Sequence, residues 1–261
     1  MPDINTLARH PIVSIITPSL NQGKFIEQTI LSVLSQEYPN IEHIVIDGGS
    51  TDGTLEILRK HNNKIKWISE PDRGQADAVN KGFSMAKGEI LGWLNSDDTF
   101  NKSALNTVVE QFLKNPDLAM VYGDAYYISK EGEIIGEYLT EDFSLKRLAD
   151  TCFICQPTVF IKTGVFKEIG MFDTNLHTCM DYEYWIRVGK HFSANRISYI
   201  KGAYLSNSRL HDKNKTINMR KKVYKESMKT QKIYFGKISK RWLLGYVKEI
   251  IFGMHFKVKD R

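Results

Sequence analysis

The alternation of short apolar strands with amphipathic helices through the first 114 residues constrains this chain more than any other feature. Ile12 to Thr17 is a β-branched run closed by Pro18 and reads as a buried strand. Ile26, Ile30, Val33 and Leu34 then fall at i, i+4, i+7 and i+8, one face of a helix that ends before Pro39. The cycle repeats three times. His43 to Asp47, Ile65 to Ser69 and Ile90 to Leu94 predict strands. The helices after them carry Leu55 and Leu58, then Val79, Phe83 and Ala86, then Leu105, Val108, Val109 and Phe112. Strands joined by helices in this way form a mostly parallel, twisted α/β sheet flanked by helices.

Ligands of such sheets bind beyond the carboxyl ends of the strands. Here those ends read Thr17-Pro18-Ser19, Asp47-Gly48-Gly49, Glu70-Pro71-Asp72 and Asn95-Ser96-Asp97-Asp98, so three of the four deliver carboxylates to one rim. Adjacent carboxylates such as Asp97 and Asp98 repel unless a cation or proton intervenes, and a hard divalent ion takes such oxygen ligands. The same pair would also serve as an N-cap for the helix beginning near Lys102. The segment DGGSTDGT lacks a Cβ at two positions beside a carboxylate, which lets backbone approach a flat or anionic ligand, but it is not the GxGxxG dinucleotide fingerprint.

After Asn115 the alternation weakens. Ala119 to Asp124, Ala125 to Ser129, Glu133 to Tyr138 and Gln156 to Ile161 are strand candidates, and Asp181 to Lys190 is a short helix. No linker interrupts residues 1–212, which predicts one domain whose second part, 115–212, completes a site begun by 1–114.

VSIITPSLNQGKFIEQTILSVLSQEYPNIEHIVIDGGSTDGT, followed by SEPDRGQADAVNKGFSMAKGEILGWLNSDD, strongly resembles the bacterial family-two glycosyltransferases. The resemblance runs from about Pro11 to His211 and implies a GT-A fold, a nucleotide-diphosphate sugar donor and transfer with inversion. It implies that Thr17, Pro18 and Asp47 hold the nucleoside, and that Asp77 and Asn80 line the nucleotide and sugar. Asn95 and Asp97 would contact the ribose, sugar or diphosphate. Asp98, with His211 of the segment SRLH, would ligate a divalent Mn²⁺ or Mg²⁺. CMDYEYWIRVG resembles the segment that supplies the catalytic base, here Asp181, with Glu183 as the weaker candidate. Gln156 to Thr158 resembles the strand beside the acceptor pocket. Two positions depart from the family pattern: Gly48 stands where a second Asp is frequent, and Asn95 where the metal motif often begins with Asp.

Charge divides the chain. The net charge is +6, but residues 213–261 hold fifteen Lys and Arg against three Asp and Glu, a net of +12, which leaves −6 on residues 1–212. Within that basic tail Leu243, Val247, Ile250, Ile251 and Met254 recur at helical spacing beside Lys240, Arg241, Lys248, Lys257 and Lys259. That pattern is an amphipathic helix which either packs on the domain or a second subunit, or docks on an anionic membrane surface carrying a lipid-linked saccharide acceptor. Three cysteines do not make a disulfide framework, and Cys152, Cys155 and Cys179 with His177 lack the second ligand pair of a zinc site. The N-terminal residues do not read as a signal peptide and no run spans a bilayer, so the expected location is cytoplasmic, or peripheral at the inner face of the membrane. An acidic rim would repel nucleic acid phosphates, so no nucleic acid is expected in the main cleft. A nucleotidyltransferase, which can share the sheet and the acids, and a non-catalytic nucleotide-sugar-binding module are the alternatives.

Overall fold

The computed structural model describes residues 10–252; the N-terminal nine residues and the end of the basic tail, including Met254, Lys257 and Lys259, lie outside them. The four expected units are present as β1 (Val13–Ser19), α1 (Ile26–Leu34), β2 (Ile41–Asp47), α2 (Thr54–Lys60), β3 (Lys66–Ser69), α3 (Gln75–Met85), β4 (Ile90–Trp93) and, beyond a two-residue strand β5 (Thr99–Phe100), α4 (Ala104–Lys114). β1, β2, β3 and β4 pair in parallel, with β1 between β2 and β4. All seven residues of β1 are buried, as they must be in a strand covered on both faces. Ile26, Ile30 and Val33 bury the face of α1 that their spacing predicted.

The second half is mixed. β6 (Met120–Ile128) pairs antiparallel with β7 (Ile134–Glu137) and with β8 (Phe160–Lys162), which also pairs with β4. β9 (Ile197–Arg209) runs parallel to β6 and carries β5 on its outer edge. The nine strands form one sheet in the order β3-β2-β1-β4-β8-β6-β9-β5, with β7 beside β6. The segments expected as two strands around Asp124 are one strand, interrupted by register shifts on either side of that residue. Gln156–Thr158, expected to begin a strand, is a 3-10 turn, because Pro157 has no N–H to offer a ladder. Around these strands lie α5 (Leu145–Leu148), α6 (Thr163–Ile169) and α7 (Met180–His191), the last containing the helix expected from Asp181. The main core joins Ile16, Val79 and Phe83 from the first half to Met120, Tyr184 and Ile186 from the second, so the two halves share one interior.

The chain does not leave this domain at residue 212. After α8 (Lys215–Asn218), helix α9 (Arg220–Phe235) packs on α7: Gln231 is fully buried and donates to Ala149 O and Tyr182 Oη, while Glu226 accepts from the N–H groups of His177 and Thr178. α10 (Lys240–Phe252) folds back on α9. Trp242 meets Tyr182 and Tyr224, Gly245 lies against Tyr224, and Glu249 accepts from Arg220. The face that packs is therefore Trp242, Gly245 and Glu249. The apolar stripe of Leu243, Val247, Ile250 and Ile251 faces solvent, between 41% and 64% exposed.

Candidate active site

Asp47 ends β2 at full burial and has both oxygens occupied. It accepts from the Gly49 and Ser50 N–H groups, from Ser50 Oγ at 2.5 Å and from Ser69 Oγ at 2.7 Å. The acid expected to receive a nucleobase N–H thus builds the turn that follows it. Thr17, also fully buried, meets His43 Nε2 at 3.0 Å, and burial pushes that imidazole down to about 3. Pro18 is buried beside it, so β1 can offer a nucleoside backbone but little side chain. Asp77 accepts from Arg73 through N–H and guanidinium, a contact that holds its carboxyl below the usual range, with Lys81 at 3.8 Å. Asn80 clamps the backbone of Phe172 from both ends of its amide, at 2.9 Å each. These two side chains fix the start of α3 and its seat on the second half.

Asp72, one of the rim carboxylates expected from the strand ends, has no family role assigned to it above. Its Oδ1 accepts from Gly74 N–H at 2.8 Å, and a Cβ on Gly48 would lie 2.8 Å from its Oδ2. The absent acid at 48 and the acid at 72 therefore compete for one space, which accounts for the glycine.

The NSDD segment after β4 divides its labour. Asn95 accepts from Trp93 Nε1 and Gln75 Nε2, and donates to Asp98 Oδ2 at 3.1 Å and Gln156 Oε1 at 3.0 Å. Asp98 is only 3% exposed, and its Oδ1 accepts from the Arg209 N–H at 2.9 Å. Burial first, then the charge of Asp97, drive its carboxyl well above the ordinary aspartate value. Asp98, expected as the metal ligand, accepts a hydrogen bond from the protein on each oxygen. Asp97 faces the cleft, where its Oδ2 meets His211 Nε2 at 3.0 Å and Asn214 Nδ2 at 3.3 Å. His211 Nδ1 accepts from Lys213 N–H, so the neutral ring carries its proton on Nε2, aimed at Asp97.

Arg209 makes this arrangement rigid. It is 1% exposed, and its guanidinium donates to the carbonyls of Asp97, Ser129 and Lys130 and to Gln28 Oε1, with the Phe25 ring 5.2 Å away. One side chain ties the metal-motif loop to α1 and to the β6–β7 turn. A buried Arg needs its donors satisfied, and three backbone carbonyls and the Gln28 amide take four of the five. Nothing local to Arg209 reveals this role, because its partners lie 79 to 181 residues away.

Asp181 sits at the second residue of α7. Part of its side chain remains accessible although protein surrounds it, the situation of a group on the floor of a cleft. Burial raises its carboxyl above the usual value, against the pull of the Asp181 and Tyr182 N–H groups at the helix start. Glu183, by contrast, is buried and bonded to Arg187 and Tyr234, which removes it as a base. Cys155 lies within electrostatic reach of both Asp98 and Asp181, and Gln156 next to it bonds Asn95 and the Trp93 carbonyl. The 152–156 segment therefore lies between the Asn95–Asp98 loop and Asp181. Burial drives the thiols of Cys152 and Cys155 far up and that of Cys179 up to about 12, the behaviour of apolar core residues.

Among the described residues no cluster of three or more His, Cys, Asp or Glu groups converges on one point. Asp97 Oδ2 and His211 Nε2 lie together at 3.0 Å; a divalent ion there would take Asp97 and, once the Nε2 proton is gone, His211, and would complete its shell with water and phosphate oxygens.

The sheet is mixed, parallel through β1–β4 and largely antiparallel beyond them rather than mostly parallel as expected, and its acidic rim and Asp–His pair lie beyond the strand ends, where sheets of this class bind their ligands. The sequence matches the profile of Glycosyl transferase family 2 over residues 14–170, and the chain belongs to that family. It is 31% identical over 198 residues to a chondroitin synthase of Pasteurella multocida; the match covers 73% of this chain and 20% of that protein. Two solved structures share the fold. TarS 1-349 of S. aureus in complex with UDP-GlcNAc has a TM-score of 0.69 at 19% identity, covering 89% of this chain and 69% of that one. The mannosyltransferase PcManGT from Pyrobaculum calidifontis, in complex with GDP-Man and Mn²⁺, has a TM-score of 0.67 at 17% identity, covering 93% and 70%. These likenesses bear out the GT-A expectation. The chain spans about a fifth of the length of the synthase it matches.

Proposed function

We propose that this chain transfers a sugar, with inversion, from a nucleotide-diphosphate sugar to a hydroxyl of a saccharide or lipid-linked saccharide in bacterial surface polysaccharide or glycolipid assembly. The observation that carries the reading is Asp181: a carboxylate at the start of α7 that burial raises, joined to the Asn95–Asp98 loop through the Cys155–Gln156 segment. Asp181 removes the proton of the acceptor hydroxyl as that oxygen attacks the anomeric carbon. Asp97 and His211 are the residues that would hold Mn²⁺ or Mg²⁺, and Asp98 acts through Arg209 and Asn95 to fix Asp97 in place. The bound ion would neutralise charge on the departing nucleoside diphosphate. Gln156, fixed between Asn95 and the Trp93 carbonyl, lines the passage between donor and acceptor.

The relatives bind nucleotides with different bases, UDP-GlcNAc in TarS and GDP-Man in the mannosyltransferase, so the donor is a matter for measurement. A panel of nucleotide sugars, with and without Mn²⁺ and with EDTA, tests the reading. Metal-dependent release of UDP or GDP supports it. Release of pyrophosphate identifies a nucleotidyltransferase instead, and binding without turnover on any acceptor identifies a non-catalytic module.

No helix among the described residues is long and apolar enough to cross a membrane. The exposed stripe of α10, bordered by Lys240, Arg241 and Lys248, has the pattern of an interfacial helix. In this reading α10 rests on an anionic leaflet and brings the cleft to a lipid-linked acceptor, each basic residue near the surface adding about 1 kcal/mol.

A further inference from the structure

Lys215 belongs to none of the motifs above. It opens α8, four residues beyond His211, and its ammonium reaches across the cleft to donate to Gln75 Oε1 at 3.0 Å. Gln75 in turn donates to Asn95 Oδ1 of the metal-motif loop. Desolvation of the ammonium lowers the Lys215 value, and the charges of Asp72, Asp97 and Glu226 act against that while Lys222 adds to it, although the side chain keeps an exposed face. The backbone that places it is tied to the same site. Asn214 accepts from the His211 N–H at 2.5 Å through its side chain, donates to Asp97 Oδ2, and caps the turn by accepting from the N–H of Asn218 at 2.9 Å.

Charge decides what such a lysine can do. A nucleotide-sugar diphosphate carries about two negative charges into a rim that already holds Asp72 and Asp97, and the diphosphate gains a further charge as the sugar leaves. One divalent ion balances either the acids or the phosphates. Gln75 takes one of the three ammonium donors, and the long flexible stem lets the rest follow a phosphate oxygen.

We propose that Lys215 is a second cation on the donor diphosphate and that it stabilises the leaving group. The proposal rests on the glycosyltransferase reading. In the step concerned, the bond between the anomeric carbon and the bridging phosphate oxygen breaks and its electron pair stays on that oxygen. The acceptor oxygen forms the new bond, its proton passes to Asp181, and Lys215 remains protonated, donating to the charge that appears on the diphosphate.

The experiment is calorimetric titration of the full chain and its K215Q and K215R variants with UDP, GDP, UMP and GMP in the presence of Mn²⁺. It is paired with kcat and KM for whichever nucleotide sugar the wild type consumes. K215Q should bind the monophosphate as the wild type does, bind the diphosphate about tenfold more weakly, and lose roughly 10²-fold in kcat. K215R should recover most of both. Wild-type diphosphate affinity and kcat in K215Q overturn the proposal. An equal loss of monophosphate and diphosphate binding overturns it too, since that marks a residue that merely holds the strap of residues 211–215 in place. A wild type that binds neither UDP nor GDP removes the glycosyltransferase reading itself, whereas intact wild-type binding with an unaffected K215Q removes Lys215 alone.

Discussion

Asp181→Asn separates chemistry from folding more cleanly than any other substitution in this cleft. Its pull is electrostatic: burial raises the carboxyl, and the only groups lowering it are the N–H groups of Asp181 and Tyr182. Asn is the same size and its Oδ1 still accepts from those N–H groups, so little is left unpaired. Losing a general base costs about 10²- to 10⁴-fold in turnover, roughly 2.7–5.5 kcal/mol of transition-state stabilisation. Stability should move the other way. A carboxyl whose folded value lies above its unfolded value destabilises the fold once it is ionised; that cost is complete above the folded value and absent below the unfolded one. Losing the charge at the helix start removes about 0.3–1 kcal/mol of favourable interaction, but the upward shift means that burial outweighs it. D181N should therefore melt at or above the wild-type temperature at pH 7, and the difference should vanish as pH falls below the ordinary aspartate range. The assays are release of nucleoside diphosphate on the true acceptor and thermal melts from pH 3 to 8. In the wild type, kcat/KM should fall with an acid limb displaced above that range. Full turnover in D181N, or a Tm that drops at pH 7 and recovers in acid, refutes the reasoning.

Asn95→Asp, the change toward the commoner family residue, should destabilise by about 1–3 kcal/mol in urea titration, because it removes the donor to Asp98 and Gln156 and adds a third carboxylate beside two. Gly82→Ala should cost about 1–3 kcal/mol in the same titration, since its Cβ would lie 2.5 Å from Ile16 Cγ2 where β1 meets α3. Cys152, Cys155 and Cys179 should resist iodoacetamide at pH 8 in the native protein and react after unfolding, as read by mass spectrometry. Ile250→Glu with Ile251→Glu should leave the melting temperature unchanged and abolish sedimentation with anionic liposomes; equal recovery in the pellet removes the membrane reading of α10.

The parts of this fold that were legible in the sequence are those made by neighbours. β1 through α4 alternate on a period that Ile26, Ile30 and Val33 or Leu105, Val108 and Val109 display within one or two turns. β9 was invisible because Lys201, Gly202 and Ala203 interrupt its alternation where it slips against Asp124 of β6, and the pairing partner lies some 75 residues away. The site followed the same rule. The rim was predictable from where strands end, but Asp97 and Asp98 are chemically identical neighbours. Arg209, 111 residues further on, is what turns Asp98 inward and leaves Asp97 to the cleft. Asp72 was placed on the rim by its strand end, but its hold on the space above Gly48 was not legible, because no spacing in the chain encodes it.

The charge asymmetry takes on a different meaning in three dimensions. Read linearly, −6 on residues 1–212 and +12 on residues 213–261 suggest a catalytic domain with a detachable basic appendage. In the fold, Asn214 and Lys215 from the basic side complete the acidic rim, and the acids Glu226 and Glu249 are used up on α7 and on Arg220. The uncompensated charge is thereby concentrated on the outer surface of α9 and α10. Truncation at residue 212 would strip Lys215 from the cleft and uncover Tyr182, whose ring and hydroxyl meet Trp242 and Gln231. A truncated protein that fails to bind membrane or donor would therefore report on a broken core. Only substitutions confined to the outward face of α10 can ask whether that face docks on a membrane, and only substitution of Lys215 can ask what the strap contributes to the chemistry.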